Sequence, residues 1–127
     1  MMKNPRDTYL AASVTTASPA RLLVMLYERL SLDLNLAARA LAAGDPAAAH
    51  GPLLHAQDIV LELNASLKPD VWSGAVGLAA LYDYLHRELV AANVNKDPVA
   101  TGFCLKLVDE LRDAWREAAG LLLTASA

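Results

Sequence analysis

Apolar residues recur along most of the chain in alternating steps of three and four, the spacing of one buried face of an α-helix. Four stretches carry this pattern: Leu23, Tyr27, Leu30, Leu34, Ala37 and Leu41; Leu53, Ala56, Val60, Leu63 and Leu67; Leu78, Leu81, Leu85 and Leu89; and Cys104, Val108, Leu111, Trp115, Ala118 and Leu122. The strict apolar–polar alternation of a strand does not occur. The pattern therefore predicts four amphipathic helices.

Helix start and stop signals divide the chain at matching places. Three of the stretches begin with a capping Ser or Asp followed by proline, which is favoured at the first helical position. These pairs are Ser18-Pro19, Asp45-Pro46 and Asp97-Pro98. Gly44, the break at 68–70 and the polar turn at 93–96 supply the stops. The predicted helices run over about 19–43, 46–67, 75–92 and 98–123.

Short connections between helices of this length favour antiparallel neighbours. The sequence therefore predicts an all-α fold, an antiparallel up-and-down four-helix bundle, in which residues 1–127 form a single domain. We expect a frayed tail at 124–127. A short helical segment, 8–14, is expected before the bundle, and its Tyr9-Leu10 pair gives it an apolar surface with which to dock.

Charge and composition narrow the function classes. The net charge is −3, and the eleven Lys and Arg residues are scattered, so the concentrated basic face of a nucleic-acid-binding protein is not expected. Cys104, the one cysteine, cannot form an internal disulfide, and its place on the core stripe predicts a buried thiol. Neither a signal peptide nor a membrane span is recognisable, so a cytoplasmic protein without membrane insertion is expected.

Few residue combinations suggest chemistry. His50 and His55 are five apart, which is not the spacing of two metal ligands on one helix face. Asp83 and His86 have the carboxylate–histidine spacing of di-iron bundles, but the second copy such sites need is missing. We therefore expect no metal, no cofactor and no catalysis. An alternative is a histidine phosphotransfer bundle, with His55 or His86 as the phosphate acceptor.

Further apolar residues lie off the core stripes. They are Met25, Leu32 and Leu36 in the first helix, Leu54, Ile59 and Leu61 in the second, and Leu105, Leu107 and Leu121 in the fourth. One interpretation is a wide core face. The other is a groove for a partner helix, in which Leu54 and Leu61 provide apolar contacts and Gln57 and Asn64 provide amide hydrogen bonds. Tyr84 points away from the core stripe and is a further candidate for binding.

Several segments, taken in order, resemble the flagellar secretion chaperone FliS family. They are Tyr9-Leu10, Thr16-Ala17-Ser18-Pro19, Met25-Leu26-Tyr27-Glu28, Ala56-Gln57-Asp58-Ile59-Val60, Glu62-Leu63-Asn64, Leu81-Tyr82-Asp83-Tyr84-Leu85 with Arg87, Ala92-Asn93 and Arg112-Asp113-Ala114-Trp115. Each motif alone is weak, but the ordered set covers nearly the whole chain. The loop at 68–74 departs from the family's acidic, double-glycine character.

The resemblance implies a chaperone that binds the disordered C-terminal segment of flagellin one-to-one, prevents its premature polymerisation and delivers it to a component of the flagellar export gate. It also implies that an N-terminal flap, residues 1–17, covers the groove, with Tyr9 and Leu10 matching the family's motif there. An unrelated helical adaptor, or a homodimer that buries the extra apolar surface on itself, are the remaining alternatives.

Overall fold

The computed structural model describes residues 18–67 and 73–126, with side chains described as far as residue 120. These residues form four helices: α1 (Pro19–Ala42), α2 (Pro46–Ser66), α3 (Ala75–Asn95) and α4 (Pro98–Ser126). The described part of the chain contains no strand. The predicted all-α fold is confirmed, and the helix boundaries agree with those predicted to within about three residues.

The capping residues predicted at the starts of α1, α2 and α4 act as expected, and at α4 the Asp97 carboxylate accepts a hydrogen bond from the Val99 amide at 2.9 Å. The Ser18 hydroxyl accepts a hydrogen bond from the Arg21 amide at 3.2 Å. The Asp45 carboxylate accepts one from the Ala48 amide at 3.2 Å. In each case a side chain satisfies a first-turn N–H that has no partner within the helix.

The end of α3 differs from the prediction. The helix continues through Asn93 to Asn95 and ends at Lys96, which adopts the left-handed conformation with φ of 47°. The polar residues here resemble a turn in sequence, but Asn93 is buried and bonds His50 of α2 and Lys96. Because its amide group has tertiary partners, the helix does not have to end where the apolar pattern ends.

Contacts between the helices establish their order and direction. Each helix packs against the next along the chain, and α4 packs against α1, so the four close into a ring. Along the α2–α3 boundary, His50 bonds Asn93 and Gln57 bonds the backbone of Leu89. Asn64 bonds Asp83 further along the same boundary. Partner numbers fall as α2 residue numbers rise, so the two helices are antiparallel.

The core follows the predicted stripes. Its fully buried large side chains include Leu30 and Leu34 of α1, Leu53 of α2, Leu85 of α3 and Val108 of α4. Cys104 is also fully buried, as expected. Most of the described apolar positions read from the sequence therefore line one shared interior. Leu81 and Ala118 are half-buried and are not part of it.

A buried polar contact crosses this interior. The Tyr27 hydroxyl on α1 and the Tyr82 hydroxyl on α3 lie 2.6 Å apart, and Trp115 of α4 also bonds the Tyr27 hydroxyl. Burial raises the pKa of both tyrosines above the ordinary value of 10. Three helices are therefore linked by hydrogen bonds through the centre of the bundle.

Three of the apolar residues that lie off the core stripes do not form exposed surface, as the interpretation of a wide core face predicts. Ile59 is buried, and Leu105 and Leu107 are partly buried against the core. The groove interpretation is wrong for Ile59, because this side chain lies within the core cluster. Leu105 and Leu107 flank the seam of α4, which is wider than a single heptad stripe.

Candidate partner-binding surface

Two of the candidate residues are leucines exposed on the outer side of α2. Leu54 is 46% exposed and Leu61 is 50% exposed. They are seven residues apart, two helical turns, and so lie on one face of the helix. By the antiparallel register of α2 and α3, the exposed Val90 lies at the level of Leu54. The bundle therefore presents an apolar strip along the α2–α3 boundary.

The two candidate amides lie beside this strip. Gln57 is buried, and its Nε2 donates to the Leu89 carbonyl at 3.5 Å. Asn64 is half-buried, and its Nδ2 donates to the Asp83 carboxylate at 3.1 Å. Both amides join α2 to α3, and the Asn64 group, at the more open position, is the better placed of the two for a partner.

Tyr84 lies on a different side of the bundle. It is 39% exposed and shares its face of α3 with Glu88, one turn later. Glu88 is near enough to Cys104 of α4 to influence the thiol. This face of α3 is turned toward α4, so the structure separates Tyr84 from Leu54 and Leu61. Tyr9 and Leu10 lie outside the described residues.

The boundary between α1 and α4 has the opposite character. Ser31 donates to Asp109 at 2.5 Å, and the Arg112 guanidinium lies 3.1 Å from the same carboxylate. Arg116 pairs with Glu28 at 3.2 Å. Polar side chains are thus bonded to one another along this boundary, which offers a partner little apolar area.

Two of the three histidines considered as phosphate acceptors or ligands have ordinary structural contacts. His55 bonds the buried carboxylate of Asp33 through Nδ1, which joins α2 to α1. His50 bonds Asn93. His86 is half-buried on α3. Within residues 18–67 and 73–126, no group of three His, Cys, Asp or Glu residues is placed to hold a metal ion.

The thiol of Cys104 is not arranged as a nucleophile. Burial, and to a smaller extent Glu88, raises its pKa to about 11. A thiol with this pKa is almost entirely protonated near neutral pH, and a reactive cysteine needs the thiolate.

Sequence analysis missed part of the exposed apolar surface. The residues not singled out include Leu22 of α1, Val76, Val90 and Val94 of α3, and Val99 and Phe103 of α4. The valines at helix ends were not singled out, because the polar residues there form no periodic pattern in which an added apolar residue would be conspicuous. Phe103 precedes Cys104 of the core stripe, and a shift of one residue turns a side chain by about 100° on a helix.

These features define an antiparallel four-helix bundle that exposes apolar strips on its helix faces. The chain belongs to the FliS family: the family described as "Flagellar protein FliS" matches residues 2–121. It is similar to the flagellar secretion chaperone FliS of Bacillus subtilis (strain 168), with 36% identity over 117 residues that cover 92% of this chain and 87% of the relative. Among the described helices, none is long and apolar enough to cross a membrane.

Proposed function

We propose that this protein is a cytoplasmic export chaperone that binds the disordered C-terminal segment of flagellin one-to-one, prevents premature polymerisation and presents its cargo to the flagellar export gate. The exposed apolar strip at the α2–α3 boundary, with Leu54 and Leu61 at its centre, is the observation that carries the proposal. The family and the chaperone relative support the same role.

The spacing of this strip suits an amphipathic helix as ligand. Leu54 and Leu61 repeat every two turns, and helix-in-groove recognition uses anchors at i, i+3, i+4 and i+7. A leucine fully buried by the partner contributes about 1.5–3 kcal/mol. Two such residues offset part of the cost of association and of ordering the partner, so further contacts along the strip must add to the affinity.

Coupling of binding to folding explains both how flagellin is kept from polymerising and how it is released. A C-terminal segment that becomes helical on the chaperone is withheld from contacts with other flagellin molecules. Ordering of the segment consumes several kcal/mol of the interaction energy. The complex is therefore weaker than its buried area suggests, which favours release when export begins.

Binding to flagellin with and without its C-terminal segment tests the proposal. Full-length flagellin should form a 1:1 complex with the purified chain and fail to polymerise at equimolar ratio. Tail-truncated flagellin should not bind. Equal binding of both forms would contradict the proposal, whatever the affinity.

The site within the chain is tested by Leu61→Asp, with Val99→Asp as the matched control. Both substitutions place a carboxylate at an exposed apolar position, but Val99 lies at the start of α4, away from the α2–α3 strip. Leu61→Asp should weaken flagellin binding by about 10- to 100-fold, whereas the control should leave it unchanged. Both variants should unfold near the wild-type temperature. Unfolding of Leu61→Asp itself would place Leu61 in the core and contradict this site.

The prediction that residues 1–17 form a flap over the groove, with Tyr9 and Leu10 as contact residues, stays a prediction. Calorimetric titration of flagellin into a variant with Tyr9 and Leu10 both replaced by Ala tests it. Tighter binding than wild type indicates competition by the flap, and unchanged binding contradicts it.

A further inference from the structure

A second apolar strip lies on α1, on the other side of α2 from Leu54 and Leu61. Its residues repeat in heptad steps and are all exposed: Leu22, Met25, Leu32 and Leu36, with Arg29 in the remaining position. Steps of three and four along one face are the spacing that packs against a second helix. The strip extends over about 21 Å, or about four helical turns.

The groove beside this strip is formed by α1 and α2. At one end, a cavity of about 450 Å³ is lined by Leu22, Met25, Leu26 and Glu62. Further along, His55 of α2 bonds Asp33 of α1, which fixes the antiparallel register of the two helices. The cavity combines three apolar walls with one carboxylate, a setting that suits a side chain with an apolar stem and a cationic end.

Negative charge is in excess around the groove. Arg29 lies 3.6 Å from the Asp33 carboxylate, so the basic residue within the strip already has an acidic neighbour. Asp58 and Glu62, one turn apart on α2, are exposed, and neither has an ion-pair partner among the described side chains. The groove is therefore complementary to a positively charged ligand.

We propose that the α1–α2 groove is a second docking site and that its occupant is a basic amphipathic helix of about four turns, whose lysine or arginine enters the cavity beside Glu62. A second copy of this chain fits less well. A twofold axis across the strip would bring Arg29 against its own symmetry mate, and one helix face offers much less than the roughly 800 Å² per partner of a stable interface.

Two synthetic peptides test the proposal with the full-length chain. Both are helices of about 18 residues with leucine at heptad positions a and d; one has lysine at e and g, and its twin has glutamate there. Fluorescence anisotropy should show that the lysine peptide binds about tenfold or more tightly than the glutamate peptide. Equal affinities would overturn the proposed charge preference.

Three variants of the chain test where the two peptides bind. Glu62→Lys should weaken the lysine peptide about tenfold and strengthen the glutamate peptide, because the local charge is reversed. Met25→Asp should weaken both peptides. Leu61→Asp, on the other face of α2, should leave the lysine peptide bound and still preferred over the glutamate peptide. The result is independent of flagellin, so the flagellin proposal can fail while this one holds.

Three outcomes would overturn the proposal. In the first, Glu62→Lys and Met25→Asp leave both affinities unchanged. In the second, Leu61→Asp removes binding, which assigns the peptides to the α2–α3 strip. In the third, the wild-type chain sediments as a dimer that Met25→Asp converts to a monomer, which assigns the groove to a second copy.

Discussion

Buried polar groups among the described residues have hydrogen-bond partners, and several of these bonds join different helices. Within the described residues, no buried side-chain nitrogen or oxygen lacks a hydrogen-bond partner. The hydroxyls of Tyr27 and Tyr82 illustrate the point, because each lies deep in an apolar core and has the other as partner. Loss of one hydroxyl leaves the other without that partner, which costs more than the bond itself contributes.

Single and double replacements of the tyrosine pair should therefore not add. Tyr27→Phe leaves the Tyr82 hydroxyl without a partner and should lower the free energy of unfolding by about 1–3 kcal/mol. Tyr82→Phe should cost less, because Trp115 still bonds the Tyr27 hydroxyl. The double variant should cost less than the sum of the two. Urea unfolding of the four proteins measures this coupling, and strict additivity would contradict the buried contact.

The thiol of Cys104 should make stability depend on alkaline pH. Its pKa is about 11 in the folded chain and 9.0 ordinarily, so between these values the unfolded chain loses the proton while the folded chain keeps it. Unfolding then becomes more favourable as pH rises. The stabilisation is fully present below about pH 9 and is lost as pH approaches 11, by at most about 3 kcal/mol.

Comparison with Cys104→Ala isolates this contribution, because Tyr27 and Tyr82 titrate in both proteins. The free energy of unfolding of the wild-type chain should fall more steeply than that of the variant between about pH 9 and pH 11. Parallel curves for the two proteins would show that the thiol ionises equally in the folded and unfolded chains.

At the scale of the helices, local sequence signals account for most of the boundaries. Ser18, Asp45 and Asp97 sit where a capping side chain meets first-turn amides, and a proline follows each. Such capping signals involve only a few neighbouring residues, so they can be recognised in the sequence itself. The end of α3 could not be read in this way, because Asn93 is held by His50, which is 43 residues away in the chain.

The cap of α4 should be the most sensitive of the three to substitution. The Asp97 carboxylate accepts hydrogen bonds from two amides, Val99 at 2.9 Å and Ala100 at 3.2 Å. Asp97→Ala should lower the free energy of unfolding by about 1–2 kcal/mol, and Asp97→Asn by much less, since asparagine also caps well. Thermal unfolding monitored by circular dichroism compares the two, and an equal loss in both would contradict a capping role.

In the whole molecule, the boundaries between neighbouring helices differ in how much apolar surface they expose. Hydrogen bonds and ion pairs cover the α1–α4 boundary, whereas exposed leucines border α2 on both sides. The sequence could indicate that surplus apolar residues exist and that Leu54 and Leu61 share one face. The order of the helices around the bundle could not be read from the sequence. Tyr84 was therefore a binding candidate alongside Leu54 and Leu61, although α3 separates it from them. The burial of Ile59 also depends on neighbours that a single helix pattern does not contain.

The proposed function requires a partner helix that covers the apolar strip at the α2–α3 boundary. Isothermal titration calorimetry with a peptide of the flagellin C-terminal segment measures this, using wild type and the double variant Leu54→Asp/Leu61→Asp. The wild-type chain should bind one peptide with a negative heat-capacity change, the signature of apolar burial. The folded double variant should bind at least about 100-fold more weakly. Equal affinity and an equal heat-capacity change in both proteins would show that the partner does not bind at this strip.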